Sequence, residues 1–240
     1  MMFKKLAIFL MVPVFSLSMI FNQSAHAESY IGGSIGVAFS SDADNIKLTS
    51  GALTGTVTDL DTDSSFAYGF KVGHYFKSIP WFGVEFNFSQ SDPDVSKQNA
   101  TATGTIGVFT LAATFQGSID VDHANTYGFL AMFRATEEQA KGMFNIQPYL
   151  GLGVGINQVS LGTARVFTAA GVETGSENLG SDTSVGFLLS AGLNYDITDN
   201  IKVYSEFKYT DIDFEATTAG VKYALESDGT ALMFGASYHF

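Results

Sequence analysis

From Phe66 to Phe76 the chain alternates. Phe66, Tyr68, Phe70, Val72 and Phe76 share one parity, interrupted by His74, and Ala67, Gly69, Lys71, Gly73 and Tyr75 take the other. The same beat sets Phe82, Val84, Phe86 and Phe88 against Gly83, Glu85, Asn87 and Ser89. It returns with Leu150, Leu152, Val154 and Ile156 against glycines and Asn157, and again from Val185 to Ile197. A period of two marks a strand whose two faces meet different surroundings. Strands are predicted at 29–39, 65–77, 81–90, 122–134, 145–158, 183–197, 200–211 and 229–240. Short connections (78–80, 135–144, 198–199) take turns with long ones (40–64, 91–121, 159–182, 212–228). That rhythm predicts an all-β fold: an eight-stranded antiparallel up-and-down transmembrane β-barrel with four long loops on one rim and both chain ends on the other. The segment 135–144, "ATEEQAKGMF", is expected to be a turn with one helical revolution, ended by Gly142.

Alternation alone leaves open which face is wet. The polar parity here is mostly Gly, Ser, Ala and Asn with isolated charges, which suits a narrow interior. The continuous Phe, Leu, Val and Ile parity suits lipid. Composition agrees: only 15% of residues are charged, against about 25% in soluble domains.

Export is expected as well. Residues 1–27 carry Lys4 and Lys5, an apolar core from Leu6 to Phe21, and the small-x-small site Ala25-His26-Ala27, the parts of a cleaved signal peptide. Cleavage leaves 28–240 as the barrel and, by removing two lysines and no acids, moves the formal charge from −12 to −14. So acidic a chain excludes nucleic acid as a partner. Cysteine is absent, so disulfides contribute nothing to stability.

"PYLGLGVGIN" (148–157), "SAGLNYDITDNIKVYSEFKYT" (190–210) and the terminal "FGASYHF" (234–240) resemble the small outer-membrane β-barrel family. This family includes the OmpA transmembrane domain, opacity-type proteins and bacterial surface antigens. The resemblance implies a Gram-negative outer membrane, periplasmic termini and extracellular loops. It also implies that the barrel-assembly machinery reads the last strand through a terminal aromatic, here Phe240 with Phe234 and Tyr238 on the same face. The peptidoglycan-binding domain of full-length OmpA has no counterpart in this sequence.

Inward parity collects a candidate charge network of Lys71, Glu85, Asp196, Lys202, Glu206 and Lys208. With a hairpin turning at Ser78–Ile79, Lys71 lies diagonal to Glu85. Asp196 comes opposite Lys202, with Glu206 and Lys208 deeper. Unpaired charge in a narrow lumen costs several kcal/mol, so these groups are expected to pair and plug it. A gated ion path is the alternative. Catalysis of the lipid A-modifying kind needs a nucleophile, a base and an orienter near the outer leaflet. His74 and His239 fall near the opposite rim, and His123, near Ser118, Asp120 and Asp122, reads as a rim residue. No catalytic set, cofactor site or metal site is expected. Asp59, Asp61 and Asp63 are spaced like the start of a calcium loop but lack its Gly and distal Glu. The expected role is a non-enzymatic surface barrel supporting envelope integrity or contacts through its loops. Outer-membrane lipid and lipopolysaccharide are its neighbours, and the loops are where a host or cell-surface partner would dock. A small-diameter pore and a lipid A-modifying enzyme are the two alternatives.

Overall fold

The computed structural model describes residues 28–40, 46–50, 53–58, 62–106, 109–141, 144–168, 171–218 and 221–240. The predicted signal peptide (1–27) and most of the Asp59–Asp63 motif lie outside the described residues. Eleven strands follow one another: β1 Glu28–Ser40, β2 Ile46–Ser50, β3 Leu53–Thr58, β4 Ser65–Phe76, β5 Ile79–Ser91, β6 Val95–Ile106, β7 Phe109–Arg134, β8 Ile146–Phe167, β9 Glu173–Asp196, β10 Ile201–Thr218 and β11 Val221–His239. One turn of helix, α1 Glu137–Lys141, sits between β7 and β8.

Eight of these strands close a ring. β1 pairs β4, β4 pairs β5, β5 pairs β7, and the ring continues through β8, β9, β10 and β11 back to β1, every pair antiparallel. Tracing paired residues from Tyr30 through Gly73, Glu85, Leu130, Gly153, Leu188, Thr210 and Gly229 returns to Ser40. The offset of ten residues, from 30 to 40, is the stagger that tilts the strands and closes the wall. An eight-stranded ring has an interior that side chains can fill.

The alternation resolves into the two sides of this wall. Phe66 is 63% exposed and Val185 68%, while Met233 is 0% and Glu206 1% exposed. The large apolar side chains thus form the outer surface, and the small and polar parity lines the lumen. An exposed apolar face is untenable in water and suited to lipid, where a closed ladder leaves no backbone group unpaired. At the short-turn rim, Trp81 stacks on Phe133 at 6.2 Å and Phe76 on Phe82 at 5.8 Å, giving an aromatic band. The first tight turn comprises Lys77 and Ser78, one residue earlier than expected, with a register shift between Tyr75 and Phe76.

The long connections are mostly strand. β6 and the first half of β7 form a hairpin from Val95↔Ile119 to Ile106↔Phe109, and β8–β9 and β10–β11 keep pairing to Phe167↔Glu173 and Thr218↔Val221. β2 and β3 form a further hairpin, bridging β11 on one side and β6 on the other. Threonine explains the extension. Thr49, Thr54, Thr105 and Thr110 stand in one cross-strand row. β-branched side chains alternating with small ones favour a pleated ladder, and Thr–Thr pairs stabilise it.

Candidate functional site

The lumen is occupied from the short-turn rim upward. At that rim Glu28, first residue of β1, gathers three partners from three strands, a guanidinium, an ammonium and an imidazole. Its carboxylate meets the Arg134 guanidinium from the end of β7, Lys202 Nζ from β10 at 3.2 Å, and His239 Nδ1 from β11 at 2.5 Å. Lys202 also lies 3.5 Å from Asp196 Oδ1 and donates to Gln147 Oε1 at 3.4 Å. Arg134 Nε donates to the Pro80 carbonyl at 3.0 Å, and its guanidinium lies 3.6 Å from the centre of the Tyr75 ring.

Above this knot lies a layer of tyrosines. Tyr30, Tyr75, Tyr149 and Tyr204 are all buried, and each faces a glycine on the next strand: Gly73, Gly83, Gly192 and Gly235. A methyl group at any of these glycines would run into the opposing ring. These four glycines are therefore seats for tyrosine rings.

Next comes the charge cluster. Lys71 Nζ donates to Glu206 Oε2 at 2.8 Å and to Tyr149 Oη at 3.3 Å, and stands 3.9 Å from Glu85 Oε2. Its ammonium also sits 3.6 Å over the Tyr204 ring, a cation–π contact. Tyr30 and Tyr149 each donate at 2.6 Å, to Glu85 Oε2 and Glu206 Oε2 respectively. Asn87 Nδ2 donates to Glu85 Oε1 at 3.1 Å, and Lys208 Nζ lies 3.6 Å from Glu206 Oε1. Two carboxylates thus share two ammoniums and accept phenol hydrogen bonds, which is how buried charges avoid a large desolvation cost. Leu130, Met132, Leu188 and Met233 fill the remaining space.

Of the six sequence-chosen lumen residues, Lys71, Glu85, Glu206 and Lys208 come together in this cluster, and Asp196 and Lys202 belong to the rim knot. Sequence reasoning passed over Glu28, Arg134 and His239 as knot members, and Tyr30 as a lumen group. Inward parity could have nominated them, but partners from opposite walls have no spacing signal. Toward the other rim, Asn157 is buried. Its Oδ1 accepts from Thr126 Oγ1 at 2.9 Å, and its Nδ2 donates to the Asp211 carbonyl at 3.0 Å. Phe234 and Tyr238 lie on the outer face of β11, and Phe240 follows it. Phe240 exchanges backbone hydrogen bonds with Ser29 at 2.9 and 3.1 Å, the last pair of the β1–β11 seam.

A lipid-compatible outer wall, an eight-strand closure and a filled lumen together define a membrane barrel. The family model for the outer membrane protein beta-barrel domain matches residues 7–240. The chain belongs to that family. Its members sit in the Gram-negative outer membrane, and this chain is one of these outer-membrane barrels. Among solved structures, OprG from Pseudomonas aeruginosa is similar at 18% identity and a TM-score of 0.52, over 89% of this chain and 96% of that one. Neisserial surface protein A matches at 13% identity and a TM-score of 0.48, over 90% of this chain and all of that one. The outer membrane protease OmpT from Escherichia coli matches at 11% identity and a TM-score of 0.47, over 88% and 97%. At such identities the likeness is one of fold. No curated protein matches the sequence.

Proposed function

We propose that this family member is a sealed surface barrel, non-enzymatic, which acts through the sheet carried on its long-hairpin rim. In this reading the chain ends and short turns face the periplasm and the hairpins stand outside, beside lipopolysaccharide. The barrel-assembly machinery engages the last strand through Phe234, Tyr238 and Phe240. The supporting observation is the state of the lumen. Among the rim knot, the tyrosine layer and the charge cluster lies a cavity of about 10 Å³, lined by Tyr30, Lys71, Glu85, Tyr149, Ser237 and His239 among others, room for about one water. Ser237 Oγ lies 2.9 Å from His239 Nε2, whose Nδ1 meets Glu28. This order of groups is that of a hydrolytic relay, but the space beside it admits no substrate.

Single-channel recording tests the proposal. The refolded chain in a planar bilayer is expected to be silent under applied voltage. Reproducible channels would make the lumen the working part and overturn the sealed-barrel reading.

A further inference from the structure

The outer wall changes character at one level. On β5, β7, β8 and β9 the outward positions pair across the strands in rows, starting at the short-turn rim with Phe82, Phe133, Leu150 and Ala191. Four successive rows are wholly aliphatic or aromatic, and the fourth is Phe88↔Tyr127↔Ile156↔Val185. Rows on one face repeat about every 6.8 Å along a strand. Four of them, on tilted strands, match the apolar band of about 25 Å that such barrels present to lipid. The fifth row is Gln90↔Asn125↔Gln158↔Thr183. All four strands turn polar at this row together, and none of the four side chains is charged. On β10 and β11 the same outward parity turns instead to Asp211 opposite Asp228.

The fifth row therefore stands where acyl chains meet headgroups on the long-hairpin side, continuous with the lipid-facing wall beneath it. Phe88 and Tyr127, directly below, lie with ring centres 5.2 Å apart. Three adjacent carboxamides offer both N–H donors and C=O acceptors. They do not satisfy one another fully. Asn125 Oδ1, in the middle of the row, is buried with no hydrogen-bond partner in the chain, and an unmet acceptor is costly at the edge of lipid. One row higher stand His123, Ser160 and Ser181, so no lysine or arginine joins either row.

We infer that Gln90, Asn125 and Gln158 hold lipid A, the anchor of lipopolysaccharide, at its head-to-chain junction, through the amide and hydroxyl groups there. Two features select that occupant. An ester-linked phospholipid brings acceptors alone to this level. Lipid A carries amide-linked and hydroxylated acyl chains, with N–H and O–H donors for the carboxamide oxygens and C=O acceptors for their N–H groups. Recognition through phosphate, the other handle on such a lipid, calls for lysine or arginine, which the row lacks. The inference rests on the proposed orientation, with the long hairpins outside, since it is the outer leaflet that holds lipopolysaccharide.

The test is lipid retention on the refolded full chain in detergent micelles, read by native mass spectrometry. Three probes compete: lipid A, lipid A stripped of its phosphates, and phosphatidylglycerol. Both forms of lipid A are expected to be retained about tenfold better than phosphatidylglycerol, the effect of one or two net hydrogen bonds. The variant Gln90→Leu/Asn125→Leu/Gln158→Leu, which extends the apolar wall by a row, is expected to refold and to lose that preference. Asn125→Leu alone carries the same test should the triple variant not refold. Loss of retention on removing the phosphates would mean recognition by charge and overturn the inference. So would equal retention of phosphatidylglycerol, or a refolded variant that keeps the full preference. Orientation plays no part in micelles, and cleavage of the hairpins by protease added to whole cells checks it separately.

Discussion

Tyr149 shows how one side chain serves two layers of the lumen. Its ring rests on Gly192, and its hydroxyl donates to Glu206, which is the main partner of Lys71. Widening Gly192 must displace the ring and break that hydrogen bond together. Gly192→Val is expected to destabilise the barrel by about 1–3 kcal/mol, the usual cost of overpacking, measured as a lowered urea midpoint for unfolding from lipid vesicles. Lys71 is held more tightly still, because its removal leaves Glu206 and Glu85 buried with less compensation. Lys71→Met is expected to cost about 3–5 kcal/mol in the same assay. The double variant Lys71→Met/Glu206→Gln is expected to recover much of that loss, since it removes the stranded charge with its partner. A single-variant cost that the double variant fails to reduce would mean that packing, and not charge, dominates at this point.

Strands carry the next set of consequences. β11 must find β1 at the far end of the chain, and their ladder runs from Ser40↔Gly229 to Tyr30↔His239 before Ser29 and Phe240 add the closing hydrogen bonds. Deleting Phe240 removes that closing pair and the exposed aromatic that stacks on Tyr238 at 6.2 Å. The expected result is less assembled barrel in the outer membrane, scored as the heat-modifiable band on a gel. Unchanged assembly would count against Phe240 as part of the assembly signal. At the opposite rim the stretches 91–121 and 159–182 read as loops because they are polar and rich in Thr, Ser, Gly and Asp. Both carry ladders, and in 91–121 Thr101, Thr103 and Thr105 stand at alternate positions, where threonine is at home on the wet face of a sheet. Polarity by itself therefore marked where the lipid ends, and not where the strands end.

At the scale of the whole molecule, the stagger of ten residues and the eight-strand ring fix a lumen that side chains alone can close. The silent recording expected above belongs to this scale, since conduction needs the tyrosine layer, the charge cluster and the rim knot to open together. The sequence by itself determined much here: strands from the period of two, the outer face from the parity rich in Phe, Leu, Val and Ile, and the inward parity of Lys71, Glu85, Glu206 and Lys208. These follow from local rules, because each strand must present one face to lipid and the other to the lumen whatever its neighbours are. Tertiary structure alone decided which inward groups meet. Lys71 takes Glu206, 135 residues away, as its main partner ahead of the nearby Glu85. Glu28 draws together Arg134, Lys202 and His239. Gly73, Gly83, Gly192 and Gly235 each hold a tyrosine ring from the adjacent strand. Pairing across a barrel depends on stagger and tilt, which are properties of the closed ring and have no trace in the spacing of residues along one chain.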